Sequence, residues 1–342
     1  MSNDQTTINQ SDLTRPSDAA AASVFVDSGA NPNEPELMNM IQKFSKIPGK
    51  VCDVYWGTTD IMALSIVKKS ILIFEIISGK RHPFLTVSSR LVTSASFSQD
   101  GKLIISSDKD LNVNVLSVRD KMCINTMKGH SREIHDVKFS PDKIYAISVS
   151  SDCTMKLWDT EQGICIRTFT LNKNPFRYVC FSPDSKRILV GGDGSIILWE
   201  TKTGKCISIL CGPPEKINDM CFSPDSQLVL FSRRNMGNLR KQEANELKVW
   251  NPETRRVLSL KGHTDEVFSV GFSPDGRFAI SGGLDKTMKI WEVASQKCIR
   301  TYEGFKGILI KVSFSPNGRQ IVAISKNETH IYNPDYNFES PD

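Results

Sequence analysis

Short runs of apolar and β-branched residues, separated by polar turn sequences, follow one another through most of the chain. The segment 134–169 is a clear example, with apolar runs at 134–139, 144–148, 155–158 and 165–169. Runs of this length between Ser-, Pro- and Asp-rich turns are typical of β-strands, and no stripe with helical spacing crosses this region. The pattern predicts four short strands in each such segment.

The apolar runs recur with a fixed period. The sequence Phe-Ser-Pro-Asp, or a close variant of it, begins at Phe97, Phe139, Phe181, Phe222, Phe272 and Phe314, and Trp56 extends the series toward the N-terminus. A second series of large side chains follows most of these positions by 18 or 19 residues: Phe74, Leu116, Trp158, Trp199, Trp291 and Tyr332. Four strands repeated about every 40–45 residues predict the blades of a β-propeller.

Two repeats carry further residues in the pattern Gly-His, Phe-Ser-Pro-Asp, Ser, Asp and Trp. They hold Gly129-His130, Phe139, Ser148, Asp152 and Trp158 in one repeat, and Gly262-His263, Phe272, Ser281, Asp285 and Trp291 in the other. In these motifs the chain resembles the WD40-repeat family over roughly residues 38–335. The resemblance implies an all-β fold, a seven-bladed WD40-type β-propeller. It implies further that Trp, Ser, His and Asp form a structural hydrogen-bond chain in each of the two repeats.

The domain boundaries follow from charge and strand order. Residues 1–37 contain six acidic side chains and one basic side chain, Arg15, and show almost no hydrophobic periodicity. We therefore predict a disordered acidic tail over 1–37 and the propeller over 38–342. The last repeat ends near Tyr332 without a fourth strand of its own. The strand-like Met40–Lys46 is predicted to complete that blade and close the ring.

Composition excludes several classes of protein. The 342 residues are 39% hydrophobic, no apolar run approaches the length of a membrane-spanning helix, and the N-terminus lacks the order of a secretory signal. The nine cysteines include no C-x₂-C pair, and several share one repeat position, which predicts packing residues: Cys123, Cys165, Cys206 and Cys298. We expect an intracellular protein, cytoplasmic or nuclear, with reduced thiols, no metal and no cofactor.

The two His-Ser-Asp sets superficially resemble hydrolase triads. The family resemblance implies a structural role for them, and the chain has no G-x-S-x-G nucleophile elbow. Its glycine clusters precede strands, so no helix N-terminus is available to hold a phosphate group. We predict that the protein is not an enzyme and has no catalytic residues.

Positive charge is concentrated in the repeats, because the whole chain carries a net charge of +5 while residues 1–37 are acidic. In the family, the loops that enter the first strand and those that join the second and third strands share one face of the ring, here termed the loop face. The basic residues predicted on it are Lys50, Lys68, Lys69, Arg90, Lys109, Arg132, Arg177, Lys216, Lys306 and Lys326. The acidic residues expected there are fewer: Asp108, Glu133, Glu215, Asp265 and Glu266.

The loop face is the predicted partner-binding surface, with an insertion over 233–246 and two aromatic anchors, Phe176 and Phe305. The predicted binding residues are Arg90, Arg132, Phe176, Arg177, Lys216, Arg233, Arg234, Arg240 and Lys241. The leading hypothesis is a non-catalytic scaffold or adaptor subunit that holds acidic segments of other proteins. The alternative is a polyanion reader that binds RNA, DNA or phosphoinositides on the same face. A plain solvated surface also fits these charges.

Overall fold

The computed structural model describes most of the repeat region and part of the sequence before it. The described residues are 40–45, 47–58, 60–82, 85–86, 90–170, 176–192, 195–211, 216–234, 245 and 247–334. The predicted acidic tail, 1–37, lies outside them, as does most of the insertion after Arg234.

Every regular element in the described part of the chain is a β-strand. In chain order the strands are β1 (Met40–Ser45), β2 (Lys50–Trp56), β3 (Ile61–Val67), β4 (Ser70–Glu75), β5 (Leu85–Thr86), β6 (Val92–Phe97), β7 (Leu103–Asp108), β8 (Asn112–Ser117), β9 (Met122–Lys128), β10 (Ile134–Phe139), β11 (Tyr145–Ser150), β12 (Thr154–Asp159), β13 (Ile164–Thr170), β14 (Phe176–Phe181), β15 (Arg187–Gly192), β16 (Ser195–Glu200), β17 (Cys206–Cys211), β18 (Lys216–Phe222), β19 (Val229–Arg234), β20 (Leu247–Trp250), β21 (Val257–Leu260), β22 (Val267–Phe272), β23 (Phe278–Gly283), β24 (Met288–Glu292), β25 (Lys297–Tyr302), β26 (Leu309–Phe314), β27 (Ile321–Ser325) and β28 (Glu328–Tyr332).

The strands form seven antiparallel sheets of four strands each, numbered here as blades 1 to 7. Blade 1 is β2-β3-β4-β5, and each of the next five blades likewise uses four consecutive strands. The first strands of neighbouring blades contact one another around the ring, and β2 also contacts β26 of blade 7. The predicted all-β, seven-bladed propeller is therefore confirmed.

Blade 7 combines strands from the two ends of the repeat region. Its order is β1-β28-β27-β26, and the β1–β28 ladder runs antiparallel from the Met40–Tyr332 pair to the Ser45–Glu328 pair. The adjacent interface holds Ile47 and Val51 against Val322 and Ile331 in one buried cluster. Blades 1 and 7 thus pack together, and the backbone of β1 covers an otherwise open edge of β28.

The recurring Phe-Ser-Pro-Asp sequence has a structural explanation. In blade 3, the Oγ of Ser140 accepts a hydrogen bond from the Tyr145 amide at 2.9 Å and donates to the carboxylate of Asp142. This contact fixes the turn between the first and second strands, and serine repeats it in most other blades: Ser98, Ser182, Ser223, Ser273 and Ser315. The preceding Phe139 is buried. The motif therefore joins a core side chain to a self-capped turn.

The core lies between the blades. One cluster, for example, packs Ile147 and Met155 of blade 3 against Phe176 and Phe181 of blade 4. Full burial of a large aliphatic side chain stabilises a fold by about 1.5–3 kcal/mol. Because each blade buries its faces against two neighbours, the ring holds together as one unit and its central channel has a fixed lining.

Candidate functional site: the loop face and the central channel

Blade 3 contains four buried polar side chains that are joined in a linear series of hydrogen bonds. Trp158 Nε1 donates to Ser148 Oγ at 2.8 Å, Ser148 Oγ lies 2.7 Å from His130 Nε2, and His130 Nδ1 lies 2.8 Å from Asp152 Oδ2. A carboxylate only accepts hydrogen bonds, so Nδ1 carries the imidazole proton and Nε2 accepts the serine proton. Blade 6 repeats this arrangement with Trp291, Ser281, His263 and Asp285, at 2.8, 2.7 and 2.7 Å.

The electrostatics of the blade 3 chain favour a neutral imidazole beside an ionised carboxylate. Burial lowers the pKa of His130 and outweighs the opposing effect of Asp152. Burial alone would raise the pKa of Asp152, but hydrogen bonds from Thr154, His130 and the Ser131 amide outweigh it and lower the pKa to about 2. The Ser148 side chain is fully buried, and both of its hydrogen-bonding directions are taken up. This serine therefore has no access to a substrate, and the arrangement stabilises the blade.

Blade 2 contains a different polar network in the corresponding region. Asp108 is buried and accepts hydrogen bonds from the amides of Asp110 and Asn112 and from Asn114 Nδ2 at 2.9, 3.1 and 3.0 Å. The prediction that Asp108 contributes acidic charge to the loop face is therefore wrong. Its carboxylate closes the turn between β7 and β8.

Both aromatic residues predicted as exposed anchors are buried. Phe176 is 3% exposed and lies in the core between blades 3 and 4. Phe305 is 4% exposed and packs on His330, with the two ring centroids 5.0 Å apart. The anchor predictions are wrong. Phe176 occupies the start of a first strand, a position that is apolar and buried in every blade: Val51, Val92, Ile134, Phe176, Ile217, Val267 and Leu309.

The basic residues predicted for partner binding differ in environment. Arg132 is exposed, and the exposed Arg90 forms an ion pair with Asp110 at 2.9 Å. Arg233 lies over the Phe231 ring at 5.5 Å. Lys216 and Arg234 are paired across the β18–β19 ladder, and their side chains are outside the described set. The predicted residues Arg240 and Lys241 fall outside the described residues.

The first strands surround a central cavity of about 630 Å³. The ionisable side chains that line it come from five blades: Lys50, Cys52, His135, Asp136, Lys138, Arg177, Tyr178, Cys180, Asp219, Cys221, Lys311 and Lys326. Sequence reasoning treated Lys50, Arg177 and Lys326 as residues of the rim and did not identify the channel. The sequence did contain an indication of it, because the residue three positions before the Phe-Ser motif is charged in several repeats: Asp136, Asp219 and Lys311. Asp53 holds the same position relative to Trp56.

The carboxylates at this position link neighbouring blades. Asp136 accepts hydrogen bonds from Ser94 Oγ of blade 2 at 3.0 Å and from the Val179 amide of blade 4 at 3.1 Å. Asp219 likewise accepts from the Val270 amide of blade 6 at 3.0 Å. Burial raises the pKa of Asp136. Buried carboxylates hydrogen-bonded in this way fix the spacing of the first strands around the channel.

Lys138 lies among these carboxylates. Burial would lower its pKa, but the charges of Asp136, Asp53 and Asp219 outweigh burial and raise it. Lys138 and Lys311 in turn lower the pKa of Asp53 against the opposing effect of burial. The deeper part of the channel therefore holds opposite charges that compensate one another.

The cysteines occupy two contrasting environments. Burial raises the pKa of Cys52 to about 11, and it raises the pKa values of Cys180 and Cys221 further, so these channel thiols stay protonated. Cys123, Cys165 and Cys298 are exposed on the outermost strands of their blades. The prediction that these three thiols pack in the core is wrong, whereas the fourth cysteine at this repeat position, Cys206, is half-buried and packs against the cluster between blades 3 and 4. The described residues contain no group of three or more His, Cys, Asp or Glu side chains placed to hold a metal ion.

Comparison with known proteins agrees with this architecture. A family model described as "WD domain, G-beta repeat" matches residues 80–115, 121–159, 163–200, 204–233 and 254–292, together more than half of the chain. The ribosome biogenesis protein BOP1 homologue of Drosophila ananassae is 42% identical over 83 residues, which are 24% of this chain and 10% of the fly protein. The homologue of Drosophila willistoni is 44% identical over 73 residues, 21% of this chain and 9% of that protein. The similarity thus spans about a tenth of these relatives. No helix in the described part of the chain is long and apolar enough to cross a membrane.

Proposed function

Since this chain belongs to the WD40 repeat family, we propose that it is a non-catalytic scaffold or adaptor subunit that holds other proteins in a multiprotein complex. One observation carries the proposal. The His-Ser-Asp sets are the residues of the sequence that most resemble a catalytic site. In blades 3 and 6 their side chains are buried and hydrogen-bonded to one another. The loop face of the ring presents exposed charged side chains such as Arg90 and Arg132, where a partner can reach them.

The chemistry of the loop face favours an acidic partner segment. Arg132 is exposed there, and Arg90 presents a side chain that is 69% exposed although it pairs with Asp110. Exposed ion pairs contribute little to stability, so such arginines can exchange an internal carboxylate for that of a partner. Complementary charge would mainly accelerate association and select the partner.

The similarity to proteins named for ribosome biogenesis suggests where the partners should be sought first. We include in the proposal a nuclear complex of that kind, with proteins as the direct partners of this chain. The second candidate function, a polyanion reader for nucleic acid or acidic lipid, rests on the same basic side chains.

The test is affinity purification of the tagged full chain, with mass spectrometry of the proteins retained. The wild-type chain is compared with an Arg90→Glu, Arg132→Glu double variant. The control is Lys202→Glu, which changes an exposed lysine in the turn between β16 and β17 on the opposite face. We expect the double variant to lose its stoichiometric partners and the control to keep them.

Two outcomes would contradict the proposal. Retention of the same partners by the double variant would place the binding surface elsewhere. Loss of all partners after nuclease treatment, with direct salt-dependent binding of the purified chain to RNA or DNA, would favour the polyanion reader.

A further inference from the structure

One end of the central cavity is lined by cationic side chains from three different blades. Lys50 begins the first strand of blade 1, Arg177 is the second residue of β14 in blade 4, and Lys326 directly follows β27 in blade 7. All three line the cavity. First strands begin at the end of the ring where second strands finish, because the two strands are antiparallel. The three cations therefore belong to the same mouth of the channel.

The charge on the cavity lining is unbalanced. Five lysine and arginine side chains line the cavity, against the carboxylates of Asp136 and Asp219. Both carboxylates already accept backbone hydrogen bonds from the next blade, and both interact with Lys138. These two carboxylates therefore compensate positive charge in the deeper part of the channel, and the mouth keeps an excess of positive charge.

The other ionisable groups near the mouth do not remove this excess. Glu133 interacts with Arg177, but its carboxylate forms an ion pair with Lys109 at 2.6 Å. His135 also lines the cavity, and burial together with the charge of Arg177 lowers its pKa, so its imidazole is neutral at pH 7.

Arg177 provides a second, independent observation. Its Nε is buried and has no hydrogen-bond partner among the described residues. Buried polar groups in folded proteins are almost always paired, so an acceptor bound in the cavity would supply the partner that this guanidinium nitrogen lacks among the described residues. A guanidinium is well suited to hold the oxygens of a phosphate or carboxylate group.

We propose that the channel mouth binds a compact, soluble organic polyphosphate, held by Lys50, Arg177 and Lys326. A cavity of about 630 Å³ lies within the size range of small-molecule sites. A phosphate monoester carries nearly two negative charges at pH 7 and so matches the excess charge better than a carboxylate does. This site differs from the exposed rim arginines of the proposed scaffold surface, so either proposal can fail without the other.

The test is isothermal titration calorimetry of the full chain with inositol hexakisphosphate as the probe. We expect saturable binding that weakens as salt increases. Lys326→Ala and Arg177→Met should each reduce the affinity at least tenfold. The matched control is Lys69→Ala, which removes the same charge from an exposed position on the same face that does not line the cavity, and it should change the affinity less than twofold.

Separate titrations identify the class of ligand. Citrate, a compact polycarboxylate, should bind at least tenfold more weakly than inositol hexakisphosphate, and vesicles containing phosphatidylinositol bisphosphate should not bind more tightly. Because Arg177 is partly buried, a thermal melt checks that each variant is folded, and the exposed Lys326 supplies a second variant if Arg177→Met unfolds.

Three results would overturn the proposal. They are no binding of inositol hexakisphosphate at low salt, equal weakening by Lys69→Ala and Lys326→Ala, and tighter binding of citrate or of the vesicles. The rim variant Arg90→Glu, Arg132→Glu should still bind the probe if its fold is intact, and this separates failure of the channel site from failure of the scaffold surface.

Discussion

The indole Nε1 of Trp158 donates a hydrogen bond to the Oγ of Ser148 at 2.8 Å. In the next blade Trp199 occupies the corresponding position, yet its Nε1 is buried and has no partner among the described residues. The ladder explains the difference, because the residue of β15 that corresponds to Ser148 is Val190. Blade 4 therefore has no hydroxyl at this position to accept the hydrogen bond of its tryptophan N–H.

Ser148→Ala should destabilise the protein by about 2–4 kcal/mol, because it leaves both the Trp158 N–H and His130 Nε2 buried and unpaired. Urea unfolding of the full chain measures this change. The matched control is Ser232→Ala in blade 5, since Ser232 is also fully buried but its Oγ has no hydrogen-bond partner in the described structure. The control should be neutral or slightly stabilising. Equal losses in the two variants would show that the four-residue chain contributes nothing beyond the packing of a serine.

Alanine substitutions of the aspartates in the turns between the second and third strands should destabilise the protein to different extents, in a defined order. Asp152→Ala should cost about 1–3 kcal/mol, because it removes the acceptor of a buried imidazole and of the Ser131 amide. Asp285→Ala should cost about as much for the same reason. Asp110→Ala should cost less, because that carboxylate forms an exposed ion pair with Arg90.

Blade 2 provides a further comparison between two aspartates of one turn. There the buried carboxylate belongs to Asp108, so Asp108→Ala should resemble Asp152→Ala rather than its near neighbour Asp110→Ala. Urea midpoints of the four variants test the order. A larger loss for Asp110→Ala than for Asp108→Ala would contradict the assignment.

Stability should fall as the pH is lowered, in two stages. Burial lowers the pKa of His130, so the folded state disfavours its protonation; its contribution is complete above the unfolded pKa of about 6.5 and decreases below it. The folded pKa of Asp152 is about 2, so its contribution is present above its unfolded pKa and is lost as the pH falls toward 2.

Thermal melts between pH 7.5 and pH 5.5 isolate the first stage. The pKa of His135 is lowered as well, so its contribution has the same sign. A His135→Gln variant removes that contribution and leaves the blade 3 network intact, and its melting temperature should still fall over this range. A flat profile in that variant would mean that His130 does not couple stability to pH.

Two truncations test the strand that completes blade 7. Deletion of residues 1–36 should leave the melting temperature close to that of the full chain, because it removes no residue of a described strand. Deletion of residues 1–47 should destabilise the protein severely, because it removes β1 from the edge of β28 and also the buried Ile47. Equal melting temperatures for the two truncated chains would contradict the contribution of β1 to ring closure.

The number of blades and the turns between strands could be predicted from the repeat pattern, and the family resemblance implied the four-residue chains. The strands and turns are local features, because blades 1 to 6 each fold from four consecutive strands, while blade 7 adds β1 from the other end of the repeat region. The family resemblance implied that His130, Ser148, Asp152 and Trp158 meet. They lie within 28 residues of one another, with Ser148 and Trp158 on adjacent strands and the other two in the loop and turn beside them. The apolar periodicity predicted most strands because they are local features.

Whether a side chain faces solvent, a neighbouring blade or the channel depends on how the blades pack in three dimensions. Phe176 was predicted to be exposed because it directly follows a loop, but it is the first residue of its strand and the preceding blade covers its side chain. Cys123 lies in phase with the repeat, yet its strand is the outermost of the blade, where no neighbour covers it. Asp136 contacts Ser94 and Val179 more than 40 residues away in each direction. Closing the ring creates these contacts and the channel, because they depend on how blades pack around an axis, which the pattern within one repeat does not encode.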